Sequence, residues 1–195
     1  KLLHEVLEYR TRYITVVVED VHQSHNASAI IRSCEIFGVQ DIHLIQKRNR
    51  FIITKGVSMG AAKWMTIHRH ETVTACIEAL HADGYMIYAT TPSSPAISMY
   101  SMTVDKKIAL LFGGERQGLS REALSQADGF MIIPMYGFTQ SFNVSVSVAL
   151  CLQFFVPKIH ALPKNKWNVT EQEKADIMLT WMSRMLKVEP WADKE

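Results

Sequence analysis

Cysteine is scarce in this chain: Cys34, Cys76 and Cys151 are the only three in 195 residues. They are odd in number, far apart and set among apolar neighbours. That argues against a disulfide framework or a zinc site and for buried, reduced thiols. No apolar run reaches the roughly 20 residues that cross a bilayer. No charged, then apolar, then small-residue leader follows Lys1. The expectation is a cytoplasmic protein with no membrane contact. Charge of one sign is lacking as well. Lys and Arg number 21 against 19 Asp and Glu, a net of +2, so total charge does not mark a nucleic-acid binder. There is no internal repeat and no low-complexity tract.

Familiar catalytic signatures are absent too. No GxGxxG occurs, so a dinucleotide fold of the usual kind is excluded. Ser141 has no GxSxG elbow around it, which sets aside a hydrolase nucleophile. His22 and His25 form HxxH without the Glu of a helical zinc signature, and His68 and His70 flank Arg69 like a solvated edge. No metal is expected.

What is present is a core and a rhythm. Hydrophobic residues make up 48% of the chain, enough to build one substantial domain. "ITVVVED" (14–20), "DIHLIQ" (41–46), "YMIYATT" (85–91), "KIALLFGG" (107–114) and "FMIIPM" (130–135) read as strands. "NASAIIRSCEIFGV" (26–39), started by Asn26 or Ser28 and closed by Gly38, reads as a helix. So do "ETVTACIEALHADG" (71–84) and "SREALSQA" (120–127). Strands alternating with helices predict an α/β fold, a mainly parallel sheet covered on both faces. Residues 1–156 form that domain with a short lead. Residues 157–195 form a helical extension: a connector with Pro157 and Pro163, then a helix over 170–187 with the stripe Ile177, Trp181, Met185 and with Met178 and Met182 beside it.

In such a sheet ligands gather at the carboxyl ends of strands. Three of those ends are unusual: Asn26 to Arg32, then "FGGERQGLS", then "PMYGFTQSFN". The second nearly spells a phosphate loop. Gly113 and Gly118 have the spacing, but Leu119 stands where the phosphate-binding Lys belongs and Glu115 puts a negative charge in the cradle. A neutral or cationic ligand suits it better than a triphosphate. The third segment runs into "VSVSV", whose alternation is that of a half-exposed strand, although Ser141 and Asn143 just before it are helix-capping types.

The ordered triple resembles the SPOUT class of S-adenosylmethionine-dependent methyltransferases, and within it the SpoU/TrmH family of RNA ribose 2′-O-methyltransferases. The resemblance covers roughly residues 14 to 156. It implies a deep trefoil knot in which "NVSVSVAL" is a helix, with Ser145, Ser147 and Ala149 small to permit close packing and with Ser141 and Asn143 capping it. It also implies catalytic roles for Asn26, Arg32, Glu115, Ser141 and Asn143. The donor would be held by Thr90, Gly113, Gly114, Gly118, Ile133, Met135, Phe142 and Asn143, with S-adenosylhomocysteine as product. Phe142 departs from the Leu usual in relatives.

The resemblance further implies how the parts act. A ribose 2′-hydroxyl must lose its proton as it attacks the sulfonium methyl. Arg32 would bind a substrate phosphate and steady the developing alkoxide, and Asn26, Glu115 and Asn143 would hold ribose, Arg32 and loop. Lys47, Arg48, Arg50, Lys55, Arg116 and Lys158 are candidate RNA contacts. Short extensions on both sides resemble the branch that methylates guanosine 18 of the tRNA D-loop. Ribosomal RNA is the alternative substrate, and a non-catalytic RNA-binding module is the alternative function. A homodimer is expected, with apolar surface to bury in "ALCLQFFV" and in the tail stripe.

Overall fold

The computed structural model describes residues 1–21, 23–46, 60–92 and 95–186. Its centre is a strand whose six residues are all buried, β1 (Ile14–Glu19). β-Branched residues fill it because both of its faces are covered. Around it lie β2 (Asp41–Ile45), β3 (Thr66–His70), β4 (Met86–Thr90), β5 (Ile97–Ser98), β6 (Ile108–Gly113) and β7 (Gly129–Ile132). The sheet runs β3-β2-β1-β6-β4-β7-β5, and every pairing is parallel. β3 and β5 were not foreseen as strands. β5 is two residues long, and the polar "TIHRH" of β3 reads as loop until its edge position is known.

Helices cover both faces. On one, Val16, Val18, Leu44 and Leu110 pack against Ile30, Ile31 and Cys34 of α2 (Ser24–Ile36) and against Val148, Leu152 and Phe155 of α5 (Val144–His160). On the other, Val17, Ala109 and Leu111 meet Val73, Cys76 and Leu80 of α3 (Val73–Ala82) and Ala123 of α4 (Arg121–Gln126). A third cluster joins Leu7 of α1 (Leu2–Leu7) to Val169 and to Ile177 and Trp181 of α7 (Glu171–Leu186), with α6 (Lys164–Trp167) between α5 and α7 in the chain. Trp181 gives its indole N–H to the Trp64 carbonyl at 2.9 Å. The stripe expected in the tail is therefore half used: Ile177 and Trp181 are buried, while Met182 and Met185 are exposed.

The ambiguous "VSVSV" is helical. Val144, Val148, Cys151, Leu152, Phe155, Val156 and Ile159 form the buried stripe of α5, at spacings of three and four, and Val146 is exposed. Ser145, Ser147 and Ala149 stand outside that stripe, half-buried. Pro157 lies inside α5, so the helix runs three residues past the point where proline promised a connector. Burial of Phe155, Val156 and Ile159 outweighs the one backbone donor that proline lacks.

Candidate functional site

The carboxyl ends of β6, β4 and β7 open into one cavity of about 640 Å³. Thr90 and Thr91 line it from the end of β4, Gly113 to Glu115 and Gln117 to Leu119 from the loop after β6, Met131 to Ile133 from the end of β7, and Gln140 to Val144 from the segment entering α5. All eight residues expected to hold the donor, Thr90, Gly113, Gly114, Gly118, Ile133, Met135, Phe142 and Asn143, are in its wall. Thr90 donates its hydroxyl to the Leu111 carbonyl at 2.9 Å.

The glycines are required by contact. A Cβ on Gly113 would lie 2.1 Å from the Gly118 carbonyl carbon and 2.2 Å from the Leu119 nitrogen. Gly118 closes the loop with φ +63, a left-handed conformation, and its N–H donates to the Gly114 carbonyl at 2.9 Å. The loop then feeds α4, which Ser120 caps by accepting from the Ala123 N–H.

A polar network closes one side. Asn26 is 2% exposed and donates from Nδ2 to Glu115 Oε1 at 2.5 Å and to Gln23 Oε1 at 3.1 Å. Asn143 donates from Nδ2 to Asn26 Oδ1 at 3.2 Å, and its own Oδ1 accepts the Ser145 N–H at 2.8 Å as the cap of α5. Asn26, Glu115 and Asn143 thus come from three distant segments into one hydrogen-bonded chain. α2 begins two residues earlier than Asn26, so Asn26 is in the first turn and is not its cap. Its amide is committed to a carboxylate across the loop. Of the two expected caps of α5, only Asn143 serves; Ser141 is exposed and lines the cavity.

Arg32 is not brought in. It is exposed on α2, does not line the cavity, and among the described residues none pairs with it. Six residues beyond Asn26, it points about 120° around the helix from it. Arg116 is exposed beside Glu115 and also stands outside the cavity wall. Lys158 is folded back: its ammonium lies 3.9 Å from the Phe154 ring and donates to the Met102 carbonyl at 3.4 Å, which weighs against an RNA contact. Lys47, Arg48, Arg50 and Lys55 lie outside the described residues, as does His22.

Two residues went unnoticed in the sequence. Glu19, at the end of β1, is 3% exposed and accepts the Ser120 N–H at 2.8 Å, so a buried carboxylate fixes the far end of the glycine loop. Gln23 joins the Asn26 network and lines the cavity. His43, His70 and Cys76 also cluster, on the face of the sheet that carries α3.

Comparison with known proteins gives a consistent picture. The SpoU rRNA Methylase family model matches residues 13–153. A tRNA (guanosine(18)-2'-O)-methyltransferase from Borreliella burgdorferi is 37% identical over 185 residues, 95% of this chain and 84% of that protein. The crystal structure of the A. aeolicus TrmH/SpoU tRNA modifying enzyme superposes with a TM-score of 0.86 at 29% identity, covering 95% of each chain. An AdoMet-bound rRNA methyltransferase from Sinorhizobium meliloti shares the fold, with a TM-score of 0.69 at 24% identity over 80% of this chain and 61% of that one.

Proposed function

Since the chain belongs to the SpoU rRNA Methylase family, we propose that it methylates the ribose 2′-hydroxyl of guanosine 18 in tRNA, with S-adenosylmethionine as donor. One observation carries the reading: Asn26, Glu115 and Asn143 are hydrogen-bonded to each other beside a cavity whose wall contains every expected donor contact.

The cavity fits that donor. Gly113, Gly114 and Gly118 bring backbone to its wall, Ile133, Met135 and Phe142 offer an apolar side, and Glu115 suits a cationic sulfonium. When bound, the donor supplies an activated methyl group. The residues supply position: Asn26 fixes the Glu115 carboxylate, Asn143 ties the last loop to α2, and Glu19 holds the glycine loop from below. Arg32 orients an RNA phosphate, and that phosphate accepts the proton that leaves the 2′-hydroxyl. Since Arg32 lies outside its own chain's cavity, we place it at the cavity of a second copy. α2 and α5 leave Ile36, Val146 and Leu150 exposed, the kind of surface that a homodimer buries. The trefoil threading of the segment into α5 belongs to the same reading. Among the described residues no helix is long and apolar enough to cross a membrane.

The test is transfer of labelled methyl to unmodified tRNA transcripts, one of them carrying 2′-deoxyguanosine at position 18. Incorporation into the normal transcript and none into the deoxy one is expected. Equal labelling of both would overturn the assignment of the nucleotide, and labelling only of ribosomal RNA would overturn the substrate.

A further inference from the structure

Far from the cavity, at the β3 edge of the sheet, three potential ligands converge. His43 Nδ1 lies 3.0 Å from His70 Nε2, and one nitrogen from each ring lies with the Cys76 Sγ in a group whose members are all within 4.8 Å of one another. His43 is 5% exposed, Cys76 is fully buried and His70 is half-buried. They come from three elements, β2, β3 and α3, and none of them lines the cavity. The rings are held in place: His43 stacks on His68 at 4.5 Å and on His70 at 5.3 Å, and His68 is itself anchored to Asp41 Oδ1 at 3.0 Å.

We propose that His43, His70 and Cys76 bind one metal ion of the zinc class, joining β2, β3 and α3. Two imidazoles and a thiol form a borderline-to-soft donor set, which disfavours magnesium and calcium, whose ligands are oxygens. The spacing suits the ion. Zn–N bonds of about 2.0–2.1 Å and a Zn–S bond of about 2.3 Å at tetrahedral angles put donors about 3.3–3.6 Å apart. The nitrogens lie 3.0 Å apart and all three donors fall within 4.8 Å, so side-chain shifts of about an ångström complete the site. The half-exposed side at His70 leaves a fourth position for water. Binding replaces the thiol S–H with a sulfur–metal bond, and the proton leaves to solvent. Without an ion, His43 Nδ1 and His70 Nε2 are at hydrogen-bond distance, so one of the two carries the proton between them. With an ion, that proton passes to the other nitrogen of its own ring, and both imidazoles then present lone pairs to the metal.

The spectroscopic probe is Co(II) added under reducing conditions to the chelator-stripped full chain. Saturation at one equivalent is expected, with a thiolate-to-cobalt charge-transfer band that Zn(II) abolishes by displacement. Cys76→Ser should remove the band, and His70→Gln should weaken Co(II) binding by about tenfold or more. His68→Gln, whose ring stacks on His43 without being a ligand, should retain the band. Circular dichroism and donor affinity should be unchanged in the His70 variant, since the cavity shares none of these residues. Cobalt binding with no thiolate band, or a band that survives Cys76→Ser, overturns the proposal. If Cys76→Ser does not fold, unchanged cobalt affinity in His70→Gln overturns it instead.

Discussion

Asn26 offers both amide hydrogens to acceptors, one of them the Glu115 carboxylate, from a position almost free of solvent. Asn26→Ala removes a buried amide together with its bonds to Glu115, Gln23 and Asn143, and should cost about 1–3 kcal/mol in urea unfolding. Asn26→Asp is nearly isosteric but sets two carboxylates against each other, so it should lose more stability than the alanine variant; a smaller loss would show that the network is open to solvent. Arg32 gives the opposite expectation, being exposed and without a described partner. Arg32→Lys and Arg32→Ala should both lose methyl transfer by on the order of a hundredfold, because a planar fork is needed and not charge alone. Donor affinity and thermal midpoint should stay near wild type. Single-turnover transfer to unmodified tRNA beside donor calorimetry decides it, and near-normal transfer by Arg32→Lys would move the chemistry to another residue. Asn26, Glu115 and Asn143 were legible because the motifs that contain them are short and ordered along the chain. Glu19 was not: at a strand end an acidic residue reads as the solvated terminus, and only the fold reveals that it is buried against a helix start.

At the scale of elements, the loop after β6 is the most constrained. Gly113→Ala would place a methyl 2.1 Å from backbone, where no flexible side chain can yield. Donor affinity should fall at least about tenfold, with a stability loss of about 1–3 kcal/mol from overpacking. Gly137→Ala is the control, since nothing lies within 4 Å of the added carbon; equal effects from both would remove the special status of the loop. The two ends of the chain meet through Glu8, whose carboxyl is held down to about 2 by the hydrogen bond from Lys164 and then by that from Lys174. In the unfolded chain this carboxyl takes its proton near 4.5. Stability from these contacts is therefore complete above that value and lost as pH falls toward 2. Glu8→Gln should flatten the fall of thermal midpoint between about pH 5 and pH 3. The effect should be small, because Glu8 is solvated. Most elements were visible in the sequence to within two residues, because a two-sided sheet gives continuous apolar strands. The strands β3 and β5 were not foreseen, and α5 was ambiguous. Its serines mimic strand alternation, and only the resemblance resolved them.

For the whole molecule, the proposed homodimer predicts sedimentation as two copies at micromolar concentration. Leu150→Glu, on the exposed side of α5, should yield a folded monomer with reduced transfer; a dimer unaffected by it would place the interface elsewhere. The parallel sheet was legible as a class, but its strand order was not, since β6 inserts between β1 and β4 and no local pattern records that insertion. The same non-local order has a consequence in time. A ribosome delivers Asn26 first, then Thr90, then the glycine loop, and last the 140–147 segment that walls the cavity and caps α5. Parallel pairings and distant contacts form slowly. A nascent chain that has emerged only through β7 thus carries the cradle with one side missing, and the capacity to hold a donor should arrive in a single late step of synthesis, once α5 can settle against α2.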